Sequence, residues 1–208
     1  MAQDPTIFIV DDDDAIRDSL QLLLDAAGFK QVSVYGSSRR FLETAAPQPG
    51  DCLLLDVRMP DMDGLELQAE LNRRGIRLPV IIMTGHGDVP IAVRAMKAGA
   101  EDFIEKPFSD AVLLESLRRA LARSLAMTKQ SEEAGETMRR LATLTARERE
   151  VLGGMIAGRP NKVIAYDLSI SPRTVEIHRA RVMDKMQARS LSALVRMALA
   201  AGVVPEGD

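Results

Sequence analysis

The first 125 residues alternate short apolar runs with longer segments in which apolar residues recur every three or four positions. The apolar runs have the length of buried strands and lie at residues 6–10, 32–35, 51–56, 78–83 and 102–105. The segments between and after them have helical periodicity and lie at residues 14–27, 37–45, 64–73, 88–98 and 110–125. This alternation predicts an α/β fold: a doubly wound, five-stranded parallel sheet, covered by helices on both faces.

The pattern changes after residue 125. Residues 126–140 are mostly polar and contain a glycine, which predicts a partly helical linker. Four short helical patterns follow, at residues 146–157, 161–168, 172–187 and 190–201, and residues suited to cap helices precede three of them: Thr145, Ser171 and Ser190. The sequence therefore predicts an α/β domain at 1–125, a linker at 126–140 and a small all-α domain at 141–208.

Composition excludes several classes of protein. No apolar run approaches the ~20 residues that span a bilayer, and no basic region precedes the first apolar run, as it would in a signal peptide. Cys52 is the single cysteine, so neither an intrachain disulfide nor a cysteine-based zinc site is possible. We therefore expect a cytoplasmic protein that does not contact a membrane.

The two parts of the chain differ in charge. Residues 1–140 hold 17 Lys and Arg against 23 Asp and Glu, a net charge of −6, whereas residues 141–208 hold 10 against 7, a net charge of +3. An acidic first part and a basic second part suggest different partners for the two.

Acidic residues follow two of the predicted strands. Four aspartates, from Asp11 to Asp14, follow the first strand, and Asp56 ends the third. The carboxyl ends of these strands are adjacent in a doubly wound sheet, so Asp11, Asp12 and Asp56 are expected to converge. Two carboxylates 4 Å apart repel by about 4 kcal/mol near a protein surface. A cation is therefore required, and Mg²⁺ suits an all-oxygen site. The alternative is that these acids only solvate the chain or cap the next helix, for which Asp14 is the candidate.

Two further polar residues follow the fourth and fifth strands. Thr84 offers a hydroxyl and Lys106 an ammonium group at the same edge of the sheet. Carboxylates, a metal ion, a lysine and a hydroxyl can together hold a phosphoryl group, and Asp56 would be the nucleophile that forms an aspartyl phosphate. His86, in a glycine-flanked loop, is a further candidate for a catalytic role, as a phosphoryl donor or a base.

Residues 6–125 resemble the receiver domains of two-component response regulators, and those of the FixJ family in particular. The strings that carry the resemblance are VDDDD, LLLDVRMPDMDG and TGHGDVPIAVRAMKAGAEDFIEKPF. The resemblance implies that Asp56 is the phosphoacceptor. It also implies that Asp12, Asp56 and the backbone carbonyl of Arg58 bind the metal directly, whereas Asp11 acts through water.

The same resemblance assigns roles at the ends of the last two strands. Thr84 and Phe103 match the switch pair, which responds when a phosphoryl oxygen recruits the threonine hydroxyl. Lys106 matches the phosphate-binding lysine, and its bond to Pro107 is expected to be cis.

The pattern at residues 172–187 predicts a helix with one apolar and one charged face. Val175 and Val182 lie on the apolar side, and the link SISP before the helix is short enough for a helix-turn-helix. Arginine, glutamate and an apolar side chain on the exposed face suit the major groove. Periodicity alone fits an ordinary amphipathic helix equally well.

Residues 141–201 resemble the LuxR/NarL-type output domain. The string that carries the resemblance is LTAREREVLGGMIAGRPNKVIAYDLSISPRTVEIHRARVMDKM. It implies that Glu176, Ile177 and Ala180 face the bases, a role that Arg173 and Arg179 could share. Phosphate contacts are expected from four other residues: Lys162, Thr174, Arg181 and Lys185. His178 is expected to be buried and hydrogen-bonded.

These features predict a transcription factor that phosphorylation controls, rather than an enzyme. A sensor histidine kinase would phosphorylate Asp56, and the modified domain would form a homodimer. The expected contacts lie near the fourth helix: Pro90, Ile91, Val93 and Arg94. The dimer would bind promoter DNA, work with RNA polymerase and activate transcription. The FixJ likeness suggests oxygen-regulated genes of nitrogen fixation or microaerobic growth.

Two other classes of function remain open on the sequence. An Mg²⁺-dependent phosphatase of the haloacid-dehalogenase kind has a general acid two residues after its nucleophile, but Arg58 occupies that position. A scaffold or phosphate sink would instead use the helical domain to bind a protein.

Overall fold

The computed structural model describes residues 4–85 and 89–203, so His86 lies outside the described residues. The chain divides into two compact units, with the boundary between Thr128 and Lys129. Within the described ranges, no helix is both long enough and apolar enough to cross a membrane.

The first unit is built on a parallel sheet with the strand order β2-β1-β3-β4-β5. The strands are β1 (Thr6–Val10), β2 (Gln31–Tyr35), β3 (Cys52–Asp56), β4 (Val80–Thr84) and β5 (Asp102–Glu105). The strand order reverses at β1, which pairs with β2 on one side and with β3 on the other. The predicted fold class is therefore confirmed, and the carboxyl ends of β1 and β3 mark the place where such sheets bind ligands.

Helices alternate with these strands and cover both faces of the sheet. They are α1 (Asp14–Ala26), α2 (Ser38–Thr44), α3 (Gly64–Arg73), α4 (Val89–Lys97) and α5 (Asp110–Ala142). Successive side chains of a strand point to opposite faces, so Phe8 and Val10 join one buried apolar cluster while Ile7 and Ile9 join the other. Both faces of the central strands are buried, which explains their uninterrupted apolar sequences.

The last helix of this series, α5, is longer than the sequence predicted. It continues through residues 126–140, where the sequence predicted a partly helical linker. Its polar residues are mostly good helix formers, and Glu136 pairs with Arg139 at 2.7 Å and with Arg140 at 3.0 Å, at spacings of three and four residues. One glycine, Gly135, costs a helix only about 1 kcal/mol, which these interactions can offset.

The described residues of the second unit form a small helical domain. After the end of α5 come α6 (Ala146–Ile156), α7 (Asn161–Asp167), α8 (Pro172–Lys185) and α9 (Leu191–Ala200). The three predicted caps are confirmed, since the side chains of Thr145, Ser171 and Ser190 each accept a hydrogen bond from a backbone N–H of the helix that follows. Apolar residues from all of these helices share one core, with Val151, Ile164, Val175, Val182 and Leu194 among its buried members.

Candidate acidic site and helix-turn-helix surface

Two carboxylates and one ammonium group meet at the carboxyl edge of the sheet. Lys106 Nζ lies 2.6 Å from Asp11 Oδ2 and 2.6 Å from Asp56 Oδ1. Asp11 follows β1, Asp56 ends the adjacent β3, and the long side chain of Lys106 reaches them from the end of β5. Asp11 is 1 % and Asp56 6 % exposed. The structure thus brings these three predicted site residues together.

Burial controls the electrostatics of this cluster. It raises the pKa of the Asp56 carboxyl, and the hydrogen bond from Lys106 offsets only part of that increase. Burial also acts to lower the pKa of Lys106, but its hydrogen bonds to Asp11 and Asp56 outweigh the effect and leave the pKa above its ordinary value. The lysine therefore stays charged beside poorly hydrated carboxylates, which favour a further cation.

The remaining aspartates of the run have separate environments. Asp12 is exposed. Asp13 caps α1, since its side chain accepts a hydrogen bond from the N–H of Ala15 at 2.8 Å. Asp14, the cap that the sequence suggested, instead forms an ion pair with Arg17. Asp13 is favoured as the cap because its backbone is extended, as an N-cap requires.

The donors at this edge fit Mg²⁺ by their chemistry. Within residues 4–85 and 89–203, no three Asp, Glu, His or Cys side chains form a group that could hold a metal ion. Lys106 joins only two of the three predicted carboxylates, while Asp12 faces solvent. The donors that the structure brings together are carboxylate oxygens of Asp11 and Asp56, which are hard ligands of the kind that Mg²⁺ takes together with water. The ammonium group between Asp11 and Asp56 also shows that a cation is accommodated there.

The loop from β3 to α3 fixes the orientation of Asp56. The N–H of Arg58 donates to Asp56 Oδ2 at 2.6 Å, and the N–H of Gly64 donates to the carbonyl of Val57 at 2.9 Å. A Cβ atom on Gly64 would lie only 2.1 Å from the Asp56 carbonyl oxygen. A glycine is therefore required where α3 begins against the end of β3.

The predicted switch residues lie on one face of the sheet. Thr84 is fully buried at the end of β4, and its carbonyl accepts a hydrogen bond from the N–H of Lys106 at 2.7 Å. Ile82 pairs with Phe103 across the β4–β5 ladder. Because residues two apart on a strand share a face, Thr84 and Phe103 do so as well. The Lys106–Pro107 bond is cis, as the resemblance implies.

In the second unit, α8 has one buried and one exposed side. Val175 and Val182 are buried. The predicted base-facing and phosphate-facing residues that lie on the exposed side are Arg173, Glu176, Ile177, Ala180 and Arg181. In the turn before α8, Ser169 adopts a left-handed φ of 54°. Lys162 is exposed in the first turn of α7. These helices form the predicted helix-turn-helix.

The other residues predicted to contact DNA are either hydrogen-bonded within the second unit or only half-exposed. Lys185 Nζ lies 2.6 Å from Glu148 Oε2 and 3.1 Å from the carbonyl oxygen of Thr143. The hydroxyl of Thr174 shares a hydrogen bond with that of Ser171 at 2.8 Å. Arg179 is only half-exposed. A phosphate contact by Lys185 or Thr174 would therefore compete with an existing interaction.

His178 differs from its expected environment. It is half-buried, and its Nδ1 atom is buried without a hydrogen-bond partner among the residues that the structure describes. The sequence predicted a buried, hydrogen-bonded histidine. The structure agrees only in part, because the ring is half-buried and its buried Nδ1 atom lacks the predicted hydrogen bond within the described residues.

Comparison with known proteins identifies the family. Residues 7–118 match the family described as response regulator receiver domain, and residues 142–198 match the family described as bacterial regulatory proteins, luxR family. Over 208 residues, the chain is 51 % identical to the transcriptional regulatory protein FixJ of Azorhizobium caulinodans, covering 100 % of this chain and 98 % of the relative. The chain belongs to the FixJ-like response regulators of two-component systems. Membership implies a sensor kinase as partner, and DNA binding by the LuxR-type domain.

Further relatives of this FixJ-like regulator support the same family assignment. It is 42 % identical to nodulation protein W of Bradyrhizobium diazoefficiens over 201 residues, which cover 95 % of this chain and 86 % of the relative. The solved structure of the response regulator StyR is 40 % identical and has a TM-score of 0.83, covering 95 % of this chain and 99 % of that one. Full-length FixJ from B. japonicum is 46 % identical, with a TM-score of 0.61 and coverage of 98 % and 100 %.

Sequence reasoning missed two residues that support the acidic site. Gly64 opens α3 in the string MPDMDG, where the glycine itself was the available signal. Arg17 donates a hydrogen bond to the carbonyl oxygen of Asp11 at 2.6 Å. Only its spacing of three from Asp14 was readable in the sequence, because the contact with Asp11 depends on the path of the loop.

Proposed function

We propose that Asp56 of this FixJ-like regulator accepts a phosphoryl group from a sensor histidine kinase, with Mg²⁺ held at the acidic site. The observation that supports this proposal best is the Lys106 ammonium group 2.6 Å from both Asp11 and Asp56. An acceptor carboxylate beside a fixed cation is the arrangement that stabilises the charge of a phosphoryl group in transfer.

The hydrogen bonds of Asp56 prepare it for this reaction. Lys106 donates to Oδ1 and the N–H of Arg58 donates to Oδ2, so the carboxylate is oriented before the donor arrives. One carboxylate oxygen would attack phosphorus as the bond between phosphorus and the donor histidine breaks. An ammonium group has three N–H donors, so Lys106 can contact both the carboxylates and a phosphoryl oxygen. Bound Mg²⁺ would supply further neutralisation of the phosphoryl oxygens.

Phosphorylation would then act on the neighbouring strands. It replaces the single negative charge of the Asp56 carboxylate with a phosphoryl group that carries about −1.5 to −2. This group would lie next to the end of β4, where the buried Thr84 would turn its hydroxyl towards it. Phe103 lies on the same face of the sheet and would adjust with it. This pair would bias the receiver between two states.

A homodimer is the proposed outcome of that change, and α4 offers a surface for it. Val89, Val93 and Met96 are 72 %, 45 % and 48 % exposed, and their spacing of four and three residues aligns them on one stripe. Of the contacts predicted from the sequence, Ile91 packs against the core instead. The stripe therefore replaces Ile91 in the proposed contact, whereas Val93 remains part of it.

Paired output domains would bind double-stranded promoter DNA and activate transcription with RNA polymerase. The exposed side of α8 would enter the major groove, and Lys162 and Arg181 would contact phosphates. From the FixJ likeness we infer target genes of nitrogen fixation or microaerobic growth, and a cytoplasmic location.

Phosphotransfer is tested with Asp56→Asn in the full chain. Incubated with Mg²⁺ and acetyl phosphate, the wild-type protein should gain one phosphoryl group by intact-mass spectrometry, and chelation of Mg²⁺ should prevent this. Asp56→Asn should gain none, because an amide is not a nucleophile of this kind. Asp61→Asn removes an exposed carboxylate from the same loop and should be labelled like the wild type. Full labelling of Asp56→Asn would refute the assignment.

A further inference from the structure

We propose that Arg17 is a positioning residue that raises the Mg²⁺ affinity of the acidic site by fixing the peptide that carries Asp12. The inference rests on the proposed function of that site. Arg17 lies in the first turns of α1, and its side chain is only 15 % exposed, which is low for an arginine on a surface helix.

Three sets of contacts hold the guanidinium group of Arg17. Nη1 donates to the carbonyl oxygen of Asp11 at 2.6 Å, and Nη2 pairs with the carboxylate of Asp14. The group also lies against Gly36, where a Cβ atom would be 3.4 to 3.5 Å from Nη1, Cζ and Nη2. These nearly equal distances indicate that the planar group faces the backbone after β2, at the distance of an ordinary van der Waals contact.

The contact with Asp11 determines where Asp12 projects. The carbonyl of Asp11 belongs to the planar peptide group that leads to Asp12, so a hydrogen bond to this oxygen sets the plane from which the Asp12 side chain leaves. Two further hydrogen bonds hold the rest of the loop. The N–H of Asp11 donates to the backbone carbonyl of Tyr35 at 3.2 Å, and the N–H of Asp13 donates to Asp11 Oδ1 at 3.0 Å. Arg17 therefore completes the fixation of the peptide that leads to Asp12, which is exposed, unlike Asp11 and Asp56.

Positioning and charge predict opposite effects of removing Arg17. The guanidinium group adds a positive charge near the acidic site, so as a charge alone it repels Mg²⁺, and its loss would strengthen metal binding. As a support for ligands it favours Mg²⁺, and its loss would weaken metal binding, as the loss of hydrogen-bonded supports does at other metal sites. The sign of the change therefore identifies the role.

The experiment measures Mg²⁺ binding to the full-length protein by titration calorimetry. Arg17→Gln should bind Mg²⁺ about tenfold more weakly. Arg17→Lys should recover part of the loss, since it keeps the charge and N–H donors but lacks the two separate amino groups that contact Asp11 and Asp14. Arg77→Gln is the matched control, because it removes one exposed arginine just before β4, at the opposite edge of the sheet, and should bind as the wild type does. Labelling by acetyl phosphate should need more Mg²⁺ in Arg17→Gln yet reach the wild-type rate at saturation.

Unchanged or tighter Mg²⁺ binding by Arg17→Gln would overturn the proposal. Thermal melting without Mg²⁺ checks that each variant is folded. If Arg17→Gln is unfolded, Arg17→Lys decides: weaker Mg²⁺ binding with an unchanged melting temperature supports positioning, and unchanged binding overturns it. Failure of the wild-type protein itself to bind Mg²⁺ or accept phosphate would instead refute the proposed function of the site.

Discussion

Glu148 links α6 to α8 in the second unit, although its carboxylate is almost completely buried. It is 3 % exposed, its Oε2 atom accepts a hydrogen bond from Lys185 at 2.6 Å, and the N–H of Thr145 donates to the same atom at 2.8 Å. The hydrogen bond from Lys185, followed by that from Thr145, lowers the pKa of the carboxyl to about 2. The capping box of α6 is thus linked to the last turn of α8.

This shift predicts an acid-sensitive contribution to stability. A carboxyl whose pKa is lower in the folded than in the unfolded state stabilises the fold above its ordinary pKa of 4.5, and that stabilisation is lost as the pH falls from there towards about 2. Wild-type protein should therefore melt at a higher temperature than Glu148→Gln at neutral pH, and the difference should shrink below about pH 4.5. Glu132→Gln, which removes an exposed carboxylate from α5, should leave the melting curves unchanged. A difference that is independent of pH would contradict the assignment.

At the scale of elements, the sequence correctly predicted those helix starts that adjacent residues determine. Ser171 followed by Pro172 marks the start of α8 in sequence and in structure, because cap and first turn are set by adjacent residues. The helix at residues 110–125 was predicted, but its full continuation through residues 126–140 was not, because that stretch lacks an apolar stripe. Its helicity comes from propensity and from the ion pairs of Glu136.

The same distinction applies to the acidic site. Asp11, Asp56 and Lys106 were predictable because each follows a strand and the topology brings strand ends together. The supporting contacts were not, since Arg17 reaches the carbonyl of Asp11 and Gly64 approaches the backbone of Asp56 only once loops have folded against the sheet. Strand order thus predicts the reactive groups, whereas the groups that orient them depend on tertiary packing.

Two adjacent glycines in α6, Gly153 and Gly154, provide a test of how closely α6 packs against α7. A Cβ atom on Gly154 would lie 2.7 Å from Cγ1 and 2.9 Å from Cδ1 of Ile164 on α7, whereas a Cβ atom on Gly153 would have no neighbour within 4 Å. Ile164 is 2 % exposed, so it has little room to move. Gly154 is therefore required for α6 and α7 to pack closely.

Alanine should have opposite effects at these two positions. Gly153→Ala should stabilise the protein by about 0.5–1 kcal/mol, because glycine is unfavourable within a helix. Gly154→Ala should destabilise it by about 1–3 kcal/mol, because the added methyl group overpacks the contact with Ile164. Urea unfolding monitored by circular dichroism measures both variants. Stabilisation by Gly154→Ala would show that the helices can separate without cost.

At the scale of the whole molecule, charge separates the two proposed partners. Residues 1–140 have a net charge of −6 and carry the acidic site, whereas residues 141–208 have a net charge of +3. An acidic first part does not favour the DNA backbone, so affinity for DNA must come from the basic side chains of the second part. Some of these basic side chains are exposed, such as Lys162 and Arg181. Lys185, in contrast, donates a hydrogen bond from its ammonium group to Glu148.

Salt dependence of DNA binding can distinguish these lysines. Each phosphate that a lysine neutralises contributes about 0.9 to the slope of log affinity against log salt concentration. Lys162→Gln should lower the slope by about that amount and weaken binding to all DNA sequences alike. Lys185→Gln should leave the slope unchanged and lower the melting temperature, because it leaves the buried Glu148 carboxylate without its cation. Fluorescence anisotropy with labelled duplexes over a range of salt concentrations, with acetyl phosphate present, measures the slopes. A reduced slope for Lys185→Gln would assign that lysine to phosphate after all, and would require its bond with Glu148 to break when DNA binds.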